Sequence, residues 1–438
     1  VPLVYVSTPA QLRAMINEIL RTCIGKEIAV DVEHHDFRSY YGFVCLVQIS
    51  TRRKDFVIDP FDMFEEMHML NEIFSHPRIL KVLHGADRDV TWLQRDFSVY
   101  LVNMFDTGLA SRELNLQGGF SLANLIAKTC GMRMDKQHQL SDWRQRPLSD
   151  EMLLYARSDT HYLLYAFDCL WNALLVRTPQ GSAGGSLVDL TQDYDGMEST
   201  PEGLEALMRV LQKSQSLCLQ HYSRPVFLSS DAGAKMVRRF GNSLRPLSER
   251  QRSLLEALTS WRDKTARSLD ESVNYLAPDA CLWRVAQAMP TTLHKLRSVA
   301  SNPVPAGLQS HGSELLAVIQ EALSSSGQQQ QQQAGAAAAD AESQQNAANA
   351  EAAQSQQSDP PPAEADKDVP ATNGAVRSRS FLSNLPPWPT PDCTSKRPVV
   401  VVHANPASIA PGASEGGSTS DHRLLNWSII PPASVDSD

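Results

Sequence analysis

Residues 26–35, Lys-Glu-Ile-Ala-Val-Asp-Val-Glu-His-His, constrain this chain more than any other stretch. Ile28, Val30 and Val32 alternate with Ala29, Asp31 and Glu33, the period of a β-strand whose successive side chains point to opposite faces. The even positions face a core. The odd ones set two carboxylates on one face, roughly 6–7 Å of strand rise apart. Two such acids repel and are costly to bury unless something positive lies between them. A divalent cation answers that need, and so do the salt bridges to Arg or Lys that explain most Asp-x-Glu pairs. The strand alone leaves both open.

A chain of 438 residues has room for two or three domains. Its seven cysteines are odd in number and form no C-x-x-C pair, which argues for reduced thiols in a cytosolic or nuclear setting and against a disulfide framework or a zinc site. No apolar run approaches membrane-spanning length and no signal peptide opens the chain, so no membrane partner is expected. The first residue is Val1, as in a piece of a longer protein. With a net charge of −9, any nucleic-acid partner has to be held by local basic clusters or by metals.

Pro9 and the spacing of Leu12, Ile16, Ile19 and Leu20 predict a helix over 7–22. Strands follow at 27–34, 43–50 and 55–59, joined by short polar links that suit a meander. Helix and strand then alternate: helix 67–74, strand 79–83, helix 86–97, strand 100–105 and a helix from about 107. That order predicts a mixed sheet with helices packed on it. Ser121 caps a helix that Gly131 closes. After a polar, basic loop, Ser149 caps a long buried helix expected to run to about Leu175, with Leu148 stapled onto Leu153. Residues 181–201 read as a linker, 204–240 as connecting helices and 246–323 as an all-α bundle. Beyond Ser324 the Gln/Ala-rich and Pro/Ser-rich composition cannot bury enough apolar surface and is expected to be disordered, with 398–402 the one β-prone run.

Two further acids join the strand pair. Tyr155 and Asp159 stand at i and i+4 on the buried helix, and Asp159 has no cationic partner within it. In His84-Gly85-Ala86-Asp87-Arg88-Asp89, Asp87 and Asp89 flank the inward stripe of Ala86, Val90 and Leu93 on opposite sides. Helical geometry does not choose between them, and the helix dipole favours either.

These segments, with Cys45-Leu46-Val47-Gln48-Ile49-Ser50-Thr51, Asn103 to Thr107, Asp142 to Leu148 and Tyr155 to Tyr165, resemble the DEDD-Y 3′–5′ exonucleases of the ribonuclease D family, most closely its nuclear-exosome-associated branch (exosome component ten type). Residues 246–323, with Trp261 to Ala266 and Asn302 to Pro305, are similar to that family's HRDC domain. The resemblance covers roughly residues 1–323; the family's N-terminal partner-binding domain has no counterpart in it, and a Gln/Ala-rich tail stands where the family's C-terminal region is usually basic. It implies an α/β, ribonuclease-H-like exonuclease domain at 1–177, a linker with connecting helices at 178–241, an HRDC domain at 242–323 and a tail at 324–438.

The same resemblance assigns the fourth acid to Asp89. It implies that Asp31, Glu33, Asp89 and Asp159 hold two Mg²⁺ (or Mn²⁺) ions about 3.5–4 Å apart. Asp31 bridges both ions, Glu33 and Asp159 complete the first, Asp89 serves the second, and Tyr155 orients the attacking water. The implied reaction releases nucleoside 5′-monophosphates from single-stranded RNA 3′ ends, in nuclear and nucleolar RNA processing with the exosome core and its cofactor proteins. His34, His35, His84, Lys136, His138, Trp143, Arg144 and Arg146 are candidate RNA contacts; the alternative for the loop members is a solvated loop whose Trp143 packs under the helix. In the helical domain Arg262, Lys264 and Arg267 could also contact single strands. Three rival readings stay open: a DNA-directed exonuclease of the Werner type, although no G-x-x-x-x-G-K-[ST] helicase motif is present; a non-catalytic RNA-binding scaffold; and transfer-RNA trimming of the bacterial type.

Overall fold

The computed structural model describes residues 1–176, 190, 197–241, 246–325, 399–402 and 427–430. They include two compact units, the first taking in Val1–His35, Phe43–Arg224 and the described residues of Ser383–Asp438, the second Asp36–Gly42 and the described residues of Pro225–Leu382. Among the described residues no helix is long and apolar enough to cross a membrane.

The first unit is built on the expected mixed sheet. Its strands are β1 (Leu3–Val6), β2 (Glu27–His35), β3 (Phe43–Ser50), β4 (Asp55–Ile58), β5 (Leu80–Leu83) and β6 (Met104–Asp106), in the order β1-β4-β3-β2-β5-β6. β2, β3 and β4 form an antiparallel meander, while β5 runs parallel to β2, β6 to β5 and β1 to β4. The edge strand β1 has no counterpart in the sequence reading, because four residues just ahead of a strong helix start carry too short a pattern. β6 is shorter than expected: Asn103 adopts a left-handed conformation (φ 62°) that ends any extended run before Met104.

Helices cover both faces. α1 (Pro9–Cys23) starts with a capping box between Thr8 and Gln11 and buries Leu12, Met15, Ile16 and Ile19. The helix expected at 67–74 is a 3₁₀ turn, Glu65–Leu70, running into the one-turn α2 (Asn71–Phe74). α3 (Asp87–Phe97) packs with α1 on Ile28, Val30, Val32, Val47 and Ile49. α4 (Thr107–Glu113) and α5 (Leu122–Cys130) follow, α5 capped by Ser121 and closed by Gly131 at φ 65°.

The single long helix expected after Ser149 is two. α6 (Asp150–His161) and α7 (Leu163–Leu175) are separated at Tyr162. α6 lies over Leu46 and Val57 of β3 and β4, whereas α7 packs on Ala29, Val82 and Phe105 of β2, β5 and β6. A twisted sheet turns its surface from strand to strand, so one straight helix does not follow both halves. α8 (Pro201–Cys218) completes this layer. The strand that carries the acids is therefore covered on both faces.

In the second unit, α9 (Ser229–Phe240), α10 (Glu249–Leu269), α11 (Val273–Leu276), α12 (Asp279–Ala288), α13 (Leu293–Ala300) and helical residues 306–325 enclose one core. Leu254, Leu258, Trp261, Leu282, Val285, Leu296, Leu315 and Ile319 fill it, as their stripes predict. Arg262 is buried and bonds to the Ala277 carbonyl and Asp279, so it holds this bundle together and is not free to grip a nucleic acid. Apart from this second unit, residues 399–402 pair antiparallel with 427–430. The expectations for 181–189, 191–196, 326–398, 403–426 and 431–438 fall outside the described residues.

α6 is tied to the sheet by a buried ion pair. Arg157 Nε and His161 Nδ1 each donate to Asp55 Oδ2 at 2.7 Å, one turn apart on the helix. Burial on its own would raise the Asp55 pKa, but His161 and Arg157 together overcome it and hold the carboxyl below its ordinary range. A depressed folded pKa contributes stability that is present above the unfolded value near 3.9 and is lost as pH falls through the folded value. Asp55→Asn is expected to lower stability at pH 7 by about 2–3 kcal/mol, the loss of charge-assisted bonds. The gap between thermal melts of the two proteins should narrow as pH falls below about 4; a gap that does not narrow as the solution is acidified contradicts this account.

Candidate active site

β2 delivers Asp31 and Glu33 to the face that α6 covers, and α6 delivers Asp159 from above. One carboxylate oxygen from each of Asp31, Glu33 and Asp159 lies within 4.8 Å of the others. The fourth acid comes from the first turn of α3, where the structure separates the two aspartates that helical geometry left equivalent: Asp89 is 8% exposed, while Asp87 faces solvent. Asp89 stands outside the tight group of three but within electrostatic reach of Asp31 and Glu33.

The turn before α3 is fixed by a fifth acid that does not join the cluster. Asp106, at the end of β6, caps α4 through Gly108 N and Leu109 N at 2.7 and 3.0 Å. The same carboxylate accepts from Gly85 N and Ala86 N at 3.1 and 2.8 Å. Gly85 has φ 72°, and a Cβ on Gly108 would meet Asp106 Oδ1 at 3.0 Å, so this joint requires both glycines.

Among the described residues, no lysine, arginine or histidine pairs with Asp31, Glu33, Asp89 or Asp159. Burial pushes the Asp31 carboxyl up to about 7. Burial and then the charges of Asp159, Asp31 and Asp89 raise Glu33 well above the carboxylate range. Asp89 and Asp159 are raised by burial and by Asp31. The Tyr155 phenol, also on α6, is pushed above its usual range by burial and by Asp159, Glu33 and Asp31, so its hydroxyl stays a proton donor.

Neighbouring residues divide into two kinds. His34 stacks flat on Trp92 of α3, ring centroids 4.0 Å apart and planes at 2°, with Nε2 3.2 Å from Arg95 Nη2. Sequence reading missed Trp92, although its i, i+3 spacing from Asp89 places the two on one side of α3. His138 keeps an exposed edge, 6.0 Å from the Tyr155 ring, and Lys136 and Arg144 are half-exposed, the latter bonded to Asp142. His35 is buried beside Phe43 and lies 3.5 Å from Asp142. Both ring nitrogens of His84 are engaged, with Thr107 Oγ1 at 2.9 Å and the Phe120 carbonyl at 3.0 Å.

Two expected RNA contacts are corrected. Trp143 is 1% exposed and packs under α6 among Cys45, Leu46, Val57, Met152 and Ala156, so no base can stack on it. Arg146 bonds to Asp59 and to the carbonyls of Cys45 and Trp143, and lies over the Phe61 ring at 4.4 Å. It anchors the loop.

Residues 3–175 match the family model described as a 3′-5′ exonuclease, and residues 251–319 match the HRDC domain model. The crystal structure of the catalytic core of RRP6 from Trypanosoma brucei superposes with a TM-score of 0.62 at 34% identity, covering 74% of this chain and 80% of that one. The chain belongs to the RRP6/exosome component 10 family. It is 39% identical over 307 residues to human exosome complex component 10, covering 70% of this chain and 31% of that protein. Exosome complex component 10 homolog of Caenorhabditis elegans is 39% identical over 321 residues, covering 73% and 33%. This chain thus spans about a third of the length of the curated relatives it matches.

DEDD-type exonucleases imply divalent metal use, and the residues present fit such a group. Every donor is a carboxylate oxygen, the preference of hard cations, no thiol intrudes, and the cluster lacks a protein cation. In the metal-free protein the raised folded pKa values favour folding at low pH. That contribution is fully present below the unfolded value near 4 and is lost as pH rises through the folded value, about 7 for Asp31. Asp31→Asn should therefore raise the melting temperature in EDTA at pH 8, by about 2–4 °C for each kcal/mol of repulsion relieved, and the gain should vanish by pH 4. A variant less stable than wild type at pH 8 would contradict the assigned repulsion.

Proposed function

We propose that this chain is a 3′–5′ exoribonuclease that removes nucleoside 5′-monophosphates from single-stranded RNA ends. The observation that carries the reading is the gathering of four acids, Asp89 and Asp159 buried and Asp31 and Glu33 half-buried, with no protein cation among them in the described residues. Such a charge arrangement is unfavourable for the fold alone and suits a pair of divalent ions. Asp31, Glu33 and Asp159 would hold one Mg²⁺ or Mn²⁺, and Asp89 with Asp31 a second. Bound there, the ions supply charge neutralisation and Lewis acidity at the terminal phosphodiester.

The chain's own groups do the rest. Tyr155, kept protonated by its surroundings, donates its hydroxyl hydrogen to orient the attacking water; with so high a pKa it is not the base. His34 stacked on Trp92 and His138 beside Tyr155, with Lys136 and Arg144 half-exposed on the loop that carries His138, would offer stacking and cationic contacts for the terminal nucleotides. We assign this activity to residues 1–177, with 178–241 as connector, 242–323 as the HRDC domain and 324–438 as the tail. The names of the relatives support an exosome partner, and with that partner we assign the chain to RNA processing in the nucleus and nucleolus. The family membership favours RNA over DNA, and the intact acids and Tyr155 favour an enzyme over a scaffold.

With 5′-labelled oligonucleotides and Mg²⁺, wild type should shorten RNA stepwise from the 3′ end, act far more slowly on matched DNA and stop in EDTA. Asp31→Asn and Asp89→Asn should each lose at least about a thousandfold in rate while keeping RNA affinity, and Tyr155→Phe should lose less. Full Mg²⁺-dependent turnover by Asp31→Asn would remove the assignment.

A further inference from the structure

Gln48 lies in the middle of β3 and is fully buried, yet among the described residues neither its amide oxygen nor its nitrogen has a hydrogen-bond partner. The register explains where that amide sits. Gln48 stands directly opposite Asp31 on β2 and opposite Val57 on β4. Residues so paired share a face of the sheet, with Cβ atoms roughly 5 Å apart. On the same face of β3, Leu46 packs against Met152 and Ala156 of α6, and Ser50 bonds Thr160 of α6 across 2.8 Å. Gln48 falls between them, beneath the turn that carries Asp159.

An amide offers two donors and an acceptor, and leaving one buried polar group unpaired costs about 1–3 kcal/mol. Methionine or leucine would fill the same space at no such cost. The described residues give the Gln48 amide nothing to bond, whereas its cross-strand neighbour Asp31 is one of the three carboxylates of the tight group. Carboxylates that ligate metal are themselves held by hydrogen bonds from a surrounding layer of donors. The terminal torsion of glutamine is soft, so the NH₂ group can turn toward an acid oxygen at little cost.

We infer that Gln48 is a positioning residue for the metal-holding acids: with ions bound, its amide NH₂ donates to Asp31 and fixes that carboxylate's orientation. The inference rests on the proposed metal-holding role of the four acids. It makes Gln48 neutral or unfavourable for the empty protein and favourable for the loaded one, the reverse of an ordinary core residue.

The test compares wild type, Gln48→Met and Asp31→Asn in thermal melts, first in EDTA and then across a Mn²⁺ titration. In EDTA, Gln48→Met should melt at or above wild type. In Mn²⁺ its half-saturating concentration should rise about tenfold or more, with a smaller maximal shift. RNA affinity in EDTA should be unchanged. Gln48→Asn, whose amide stops one methylene short, should show the same weakened Mn²⁺ response and serves if the methionine variant fails to fold. A Mn²⁺ response equal to wild type in a folded variant overturns the inference, as does a Gln48→Met protein that folds but melts well below wild type in EDTA. Absence of any Mn²⁺ shift in wild type, or a full shift in Asp31→Asn, is a different failure: it removes the metal-holding reading and this inference with it.

Discussion

Repulsion among Asp31, Glu33, Asp89 and Asp159 is the constraint around which the first unit is arranged. Four acids, Asp31 raised by burial and the other three by burial and by neighbouring acids, are brought together from β2, α3 and α6 without a cation among the described residues. Left to themselves they would move apart. Each is instead held by contacts that do not involve the acid: β2 by its ladders on both sides, α3 by Asp106, and α6 by Asp55 and the Ser50–Thr160 bond. The unfavourable charge is local, and the rest of the fold outweighs it.

The basic side chains nearby are engaged elsewhere. Arg157 goes to Asp55, Arg146 to Asp59, Arg95 to Asp96 and Arg52 to Asp168. These pairs fix loops and helices to the sheet while keeping guanidinium groups off the acid cluster, where one would displace a metal. On the proposed function, a chain with net charge −9 would approach a polyanion with these acids neutralised by bound ions.

Much of this was legible before any coordinates. The alternation of Ile28, Val30 and Val32 gave the inward face of β2, Pro9 marked the start of α1, and the caps at Ser121 and Ser149 gave the starts of α5 and α6. What the sequence hid depends on long-range geometry. The break at Tyr162 answers to sheet twist, which no local pattern encodes. Asp87 and Asp89 differ only in what packs beside them. Trp143 sits in a basic loop that reads as an RNA contact, but its indole is the lid of a small core. Parity along β3 also shifts: the ladder pairs Glu33 with Leu46 but His34 with Val44, so Cys45 is the extra residue of a bulge and shares the α6 face with Leu46. Gln48 looked like one polar residue in an apolar strand until its register against Asp31 was known.

The double cap at Asp106 has a mechanical consequence. One carboxylate grips the entries of α3 and α4, and its own amide nitrogen is anchored by Ser214 Oγ at 3.0 Å. The start of α3 therefore inherits the stiffness of the β5–β6 ladder, not the looseness of a strand-to-helix turn. Thermal jitter carries Asp89 along with the sheet as one solid piece. The spacing between the outlying acid and the other three is set by strand-to-strand distances, which are among the least compressible lengths in a protein.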